Sequence, residues 1–230
     1  TSMKVVAVRC VIFPAERSAM SMFAREIAAS RVDLVDEILK EPDLQSARTR
    51  ARRFATPYPR PIIESLRDSL LVEGPRGEVG EFDWRAHEIE STFLDGEVEL
   101  GDRDVVFRCG TTKETSLRMH LTSSVVKSLA GLVLYLRYSA RSGDLLVIDE
   151  PEMNLHPDNQ RKIARVIARM VNAGLRLLIS THSDFIIREL SHLVSLGEFG
   201  DKGRAVAEGL GYSETQLLKA ERVGFYRFGS

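Results

Sequence analysis

The sequence predicts an α/β fold: a parallel sheet flanked by helices, with a helical insertion and a small antiparallel β-meander. Three observations predict it. The runs 145–148 and 175–180 are short and almost wholly apolar, as strands covered on both faces are. Between them, Ile163, Val166, Ile167, Met170 and Val171 recur at helical spacing. Residues 87–121 instead carry short β-like runs parted by tight-turn dipeptides. The order strand, helix, strand, helix calls for parallel pairing.

Taken in order, residues 5–13 (VVAVRCVIF) read as a strand that Pro14 stops. A helix is expected from about Glu16, with Met20, Phe23 and Ile27 on one face, and others over 32–40 and 62–71. Glu16 and Arg17 admit two readings, a salt-bridged helix start or part of a nucleotide-sensing loop. The run SARTRARRF (46–54) is basic, and three prolines between 56 and 61 make a rigid connection. HEIESTFL, EVEL, DVVFRC and LRMHL read as meander strands, with Asp95-Gly96 and Gly101-Asp102 as turns. From Ser123 the helical period returns, with Val126, Leu129, Val133 and Leu136 in one stripe. Pro157 suits a helix's first turn and Gly174 a helix stop. Residues 185–194 form a last amphipathic helix, and 223–228 an edge strand. The predicted organisation is a core strand in 1–15, a mainly helical insertion in 16–86, the meander in 87–121 and the rest of the core in 122–230.

Composition narrows the function classes. With 43% hydrophobic residues the chain can bury a large core, and a net charge of −1 argues against a globally basic nucleic-acid binder. No apolar run reaches the roughly 18 residues that span a membrane. Cys10 and Cys109 sit in strand-like runs and read as buried thiols of a cytoplasmic protein without disulfides. Thr1-Ser2 before Met3, and Gly229-Ser230, read as cloning remnants, so the chain is expected to be a piece of a longer protein.

The chemistry gathers at strand ends. In open parallel sheets, ligands bind beyond the carboxyl ends of the strands. Asp149-Glu150 follows one expected strand and His182 the next. Two adjacent carboxylates in a partly desolvated cleft repel unless a cation intervenes. A hard ion such as Mg²⁺, held through water beside a nucleotide phosphate, suits them. Asp149 would then orient the metal shell, Glu150 would position and deprotonate the attacking water, and His182 would contact the γ-phosphate.

These residues carry a family resemblance. LLVIDEPE (145–152) resembles the Walker B strand and catalytic glutamate of ABC-type ATPases, within the P-loop NTPases. NLHP (154–157) is similar to the segment that follows it in the OLD (overcoming lysogenization defect) and related AAA-annotated prokaryotic ATPases. LLISTHSD (177–184) resembles their switch-histidine strand. LTSSVVKSL (121–129) resembles a variant signature motif. The resemblance covers 121–194 best. It implies the C-terminal lobe of an ATPase that hydrolyses Mg·ATP between two head-to-tail subunits. Ser123, Ser124 and Lys127 would meet the γ-phosphate of the opposite subunit. A homodimer or higher oligomer is implied, with an effector such as a nuclease acting on nucleic acid in phage defence or DNA maintenance, and no membrane.

Two departures stand out. Val125 replaces the signature glycine after the serine pair, which brings a Cβ where backbone would approach phosphate. GxxxxGK[ST] does not occur, so the Walker A cradle and its positive charge are expected in a preceding segment of the same protein, and these residues alone are expected to be inactive. Two alternatives follow: a nucleotide-gated scaffold that scarcely hydrolyses, and a nucleic-acid-binding module using Arg48, Arg50, Arg52 and Arg53. His156 reads equally as a helix-start residue or a site residue. His87, His120 and His192 have no partners at metal-ligand spacing and read as structural.

Overall fold

The structure, a computed structural model, describes residues 9–18, 79–101, 105–110 and 115–228. The helices expected over 16–40 and 62–71 and the basic run 46–54 lie essentially outside them.

Among the described residues, two three-stranded sheets organise the fold. The first contains β1 (Cys10–Phe13), β5 (Leu145–Asp149) and β6 (Arg176–Ser180), with β5 in the centre and parallel to both neighbours. The second is an antiparallel meander of β2 (Gly96–Leu100), β3 (Val105–Cys109) and β4 (Thr115–Arg118). The helices are α1 (Asp83–Ile89), α2 (Ser124–Tyr138), α3 (Pro157–Asn172), α4 (Asp184–Glu198) and α5 (Gly200–Gly209). This is an α/β domain of P-loop NTPase type, with the parallel sheet flanked by helices. Among the described residues, no helix is long and apolar enough to cross a membrane.

The helix stripes expected from spacing form the core. Val126, Leu129, Val133 and Leu136 of α2 are buried, as are Ile163, Val166, Ile167 and Met170 of α3, with Val11, Phe13, Leu146 and Ile148 of the sheet. Each such side chain stabilises the fold by roughly 1.5–3 kcal/mol. Ser123 caps α2, its Oγ accepting from Val126 N, and Pro157 opens α3. Gly174 takes the left-handed φ of +105° that turns the chain from α3 into β6. Beneath β5, the buried Tyr135 hydroxyl donates to Asp144 Oδ2 at 2.6 Å while its ring meets Phe13 edge-on. Tyr135→Phe removes one donor from a buried carboxylate, so it is expected to cost about 2 kcal/mol. Urea unfolding checks this as a lower midpoint at unchanged slope.

A buried charge network joins the meander to this core. Arg137 of α2 donates to Asp83 Oδ1 (2.9 Å), Val98 O (2.6 Å) and Glu90 Oε2 (2.6 Å). Burial works against its charge, but the bonds to Glu90 and Asp83 outweigh that and raise its pKa.

Several expectations are corrected. HEIESTFL is not a strand: α1 runs through Ile89, and Glu90–Leu94 forms a wide π-type turn ending at Asp95, φ +49°. Glu90 is drawn inward to Arg137 and the Val98 amide (2.7 Å), which a strand could not satisfy. Residues 223–228 form no strand. The chain before them is bonded to α4 instead, with Leu218 N donating to Leu193 O and Lys219 Nζ to Gly197 O. That approach is so close that a Cβ on Gly197 would lie 2.1 Å from the Leu218 carbonyl oxygen. The tail also holds α5, where no helix was expected. Cys10 is exposed and Cys109 half-buried, since the inward positions of those strands are Val11 and Phe107. Cover on both faces fails along β6, where Arg176, Leu178 and Ser180 are exposed.

Candidate functional site at the strand ends

Three neighbouring parallel strands deliver their carboxyl ends to one edge of the sheet. β1 runs into Pro14 and Arg17, β5 into Asp149 and Glu150, and β6 into Ser180 and His182. Register fixes the neighbours: Asp149 pairs with Ser180. The Ser180 hydroxyl donates to Asp149 Oδ1, and the Glu150 amide donates to Ser180 O at 3.0 Å. Glu150 Oε1 lies 3.9 Å from His182 Nε2. The side chains there are open, His182 at 91% exposure and Glu150 at 35%. Asp149, Glu150 and His182 thus share one surface.

The backbone at Glu150 is unusual. Its φ is +46°, in the left-handed region that costs a non-glycine residue about 1 kcal/mol or more. The surrounding bonds hold it there. They include the one to Ser180 O and a turn in which Met153 N donates to Glu150 O. The bend turns the chain away from the strand direction immediately after Asp149.

Arg17 completes that support. Arg17 is 7% exposed, and its guanidinium donates to Ser128 O (3.0 Å), Asp149 O (2.7 Å) and Glu150 O (2.9 Å). Phe13, Leu129, Leu132, Ile148 and Pro151 wall it in. Burial lowers its pKa, partly countered by the carboxylates of Glu152, Asp149 and Glu150, which favour its charged form. A cation therefore stands beside the acids within this chain, which corrects the expectation that their positive partner lies wholly elsewhere. It grips backbone carbonyls and leaves the carboxylate oxygens for other work. Arg17 stands at a helix start, and among the described residues its side chain bonds to backbone carbonyls. An arginine soon after an apolar strand's end, in PAERS, is the only signal the sequence offered.

The remaining candidates sit on helix starts. Ser123 is the N-cap of α2, Ser124 its first residue and Lys127 lies one turn in. Among the described residues, no hydrogen bond or ion pair joins Ser123 or Ser124 to Asp149, Glu150 or His182. Val125 is half-buried at the same helix start. His156 is the N-cap of α3, its Nδ1 accepting from Asp158 N at 3.4 Å. His87 lies 3.3 Å from both the Asp83 and the Glu90 carboxylates.

The donor set suits a hard, oxygen-bound cation. Among the described residues no three His, Cys, Asp or Glu side chains gather as a metal cage. Asp149 and Glu150 offer oxygens at an open edge, which fits an ion that keeps waters and shares substrate phosphates, as Mg²⁺ does.

A parallel sheet with this motif order and these strand ends defines an ATPase domain of the AAA/ABC type. Comparison with known proteins agrees. Residues 20–188 match the family described as "AAA domain, putative AbiEii toxin, Type IV TA system", and the chain belongs to that family. It is also similar to UvrABC system protein A of Halalkalibacterium halodurans, 30% identical over 112 residues, 48% of this chain and 10% of that protein. The same protein of Streptococcus pyogenes is 29% identical over 110 residues, covering 47% and 10%. That of Methanothermobacter thermautotrophicus is 36% identical over 67 residues, covering 28% and 7%. The chain thus spans about a tenth or less of the length of these relatives.

Proposed function

We propose that this chain supplies the water-activating half of an ATP-hydrolysing site. The observation that carries the proposal is the meeting of Glu150 and His182 across two adjacent parallel strands, 3.9 Å apart and open to solvent. Glu150 is the general base: its carboxylate takes a proton from water attacking the γ-phosphorus. His182 contacts the γ-phosphate, donating to an oxygen that gains charge in the transition state. Asp149, steadied by Ser180, would hold Mg²⁺ through water, and that ion when bound supplies counter-charge for the phosphate oxygens. Ser123, Ser124 and the amides at the start of α2 form an anion-binding helix terminus. With Lys127 they serve the γ-phosphate bound by a second, head-to-tail copy.

Since GxxxxGK[ST] does not occur in these 230 residues, the phosphate cradle comes from outside them. ATP then acts as a clamp between two copies, and hydrolysis opens it. That cycle would gate an effector such as a nuclease on nucleic acid, in phage defence or DNA maintenance.

The test is phosphate release by these residues alone and by the same residues joined to their Walker A segment. Turnover is expected only from the joined protein. Hydrolysis by the 230 residues alone would contradict the proposal, and so would a joined protein that neither binds nor hydrolyses ATP.

A further inference from the structure

We infer that Glu152 is a positioning residue, latching the loop that carries His182 to the loop that carries Glu150. The inference rests on the functional reading above and extends it to a residue outside the acid pair.

The side chain of His182 is 91% exposed, so little but its backbone fixes where the imidazole stands. Glu152 supplies that fixing. Its Oε1 accepts from the His182 amide at 2.8 Å and from the Thr181 hydroxyl at 2.7 Å. The Thr181 hydroxyl in turn accepts from Ser183 N at 3.0 Å. The Ser183 hydroxyl donates to Gln160 Oε1 at 2.6 Å, and Gln160 Nε2 donates to Leu155 O at 2.9 Å. A continuous set of bonds therefore runs from the turn after Glu150, through residues 181–183, and back to α3.

Oε2 of Glu152 is buried without a hydrogen-bond partner among the described residues. The charge nonetheless has company: Glu152 is the carboxylate that most favours the ionised form of buried Arg17. One anion thus faces both the cation that props up Glu150 and the amide that carries His182. Bonds to an ionised acceptor are about twice as strong as neutral ones. A latch of this kind sets the Glu150–His182 separation without touching substrate.

The test has two readouts. Hydrogen exchange is measured on the 230-residue chain. ATP turnover is measured on the protein that carries its phosphate-binding segment. In E152A the His182 amide loses its acceptor, and its exchange should quicken about tenfold or more. The kcat should fall about 100-fold with KM for ATP little changed, because a small misplacement of a reacting group has that effect. E152Q keeps Oε1 as acceptor and should restore both to within a few-fold. In an H182A background, E152A should lower kcat no further, since it acts through His182. Should E152A not fold, Thr181→Val decides, with the same two effects in smaller measure. Unchanged exchange at His182 would overturn the latch. Faster exchange with undiminished kcat, or a full extra loss in the double variant, would overturn its positioning role. A wild-type protein without turnover would overturn the functional reading itself, while exchange still decides whether the latch exists.

Discussion

Glu150→Gln is expected to lower ATP turnover by about 100- to 10,000-fold while nucleotide binding persists, the range in which a general base contributes. Gln preserves the size of the side chain and places an amide where the carboxylate stands. It can adopt the same left-handed backbone at the same cost, because the strain at φ +46° belongs to the Cβ and not to the charge. What it cannot do is accept a proton from water. The loss should therefore appear in kcat and not in KM. Phosphate release and equilibrium binding of ATP, measured together on the joined protein, separate the two. Turnover as slow in the wild type as in the variant would favour a nucleotide-gated scaffold, for which Val125 at the start of α2 gives a physical reason.

The second large effect is expected at Arg17. Arg17→Ala strips donors from the carbonyls of Ser128, Asp149 and Glu150 at once. Glu150 O keeps the Met153 amide and Ser128 O its place in the α2 ladder, so what is lost is a set of charge-assisted bonds, each contributing about 1.5–3 kcal/mol, and water entering the vacated space recovers part of it. A net destabilisation of about 4 kcal/mol is expected, read as a lower urea midpoint. Arg17→Lys should be intermediate, since an ammonium lacks the planar fork that reaches several acceptors together. At temperatures where Arg17→Lys remains folded, turnover should still fall, because the bend at Glu150 has lost a prop. Near wild-type stability in Arg17→Ala would show that the guanidinium does not hold these strand ends.

Much of the fold was legible because its signals are local. The β5 strand, the Pro157 start, the α3 stripe and the Gly174 stop all depend on residues within a few positions of one another. The adjacency of β5 and β6 followed from one helix between two apolar runs, so Asp149 and His182 could be placed near each other before any coordinates. What was not legible is long-range. Arg17 is buried among acceptors that, Pro14 O apart, lie 111 to 133 residues away, and no local pattern distinguishes it from a solvated helix start. Glu90 misled in the same way. Alternating polar and apolar residues in HEIESTFL resemble a strand, yet Glu90 is an inward anion paired with Arg137. Which face of β1 turns inward is also set by the rest of the domain, so Cys10 was misjudged. Glu152 was legible only as part of a motif, while its grip on residues 181–182 needed the fold.

The most direct measurement is a structure of the Glu150→Gln protein, joined to the Walker A segment proposed above, with Mg·ATP trapped. The account predicts the γ-phosphate at the carboxyl ends of β5 and β6, the metal's water shell at Asp149, and His182 against a γ-phosphate oxygen. A triphosphate bound on any other surface, with Asp149, Glu150 and His182 facing solvent only, would contradict it.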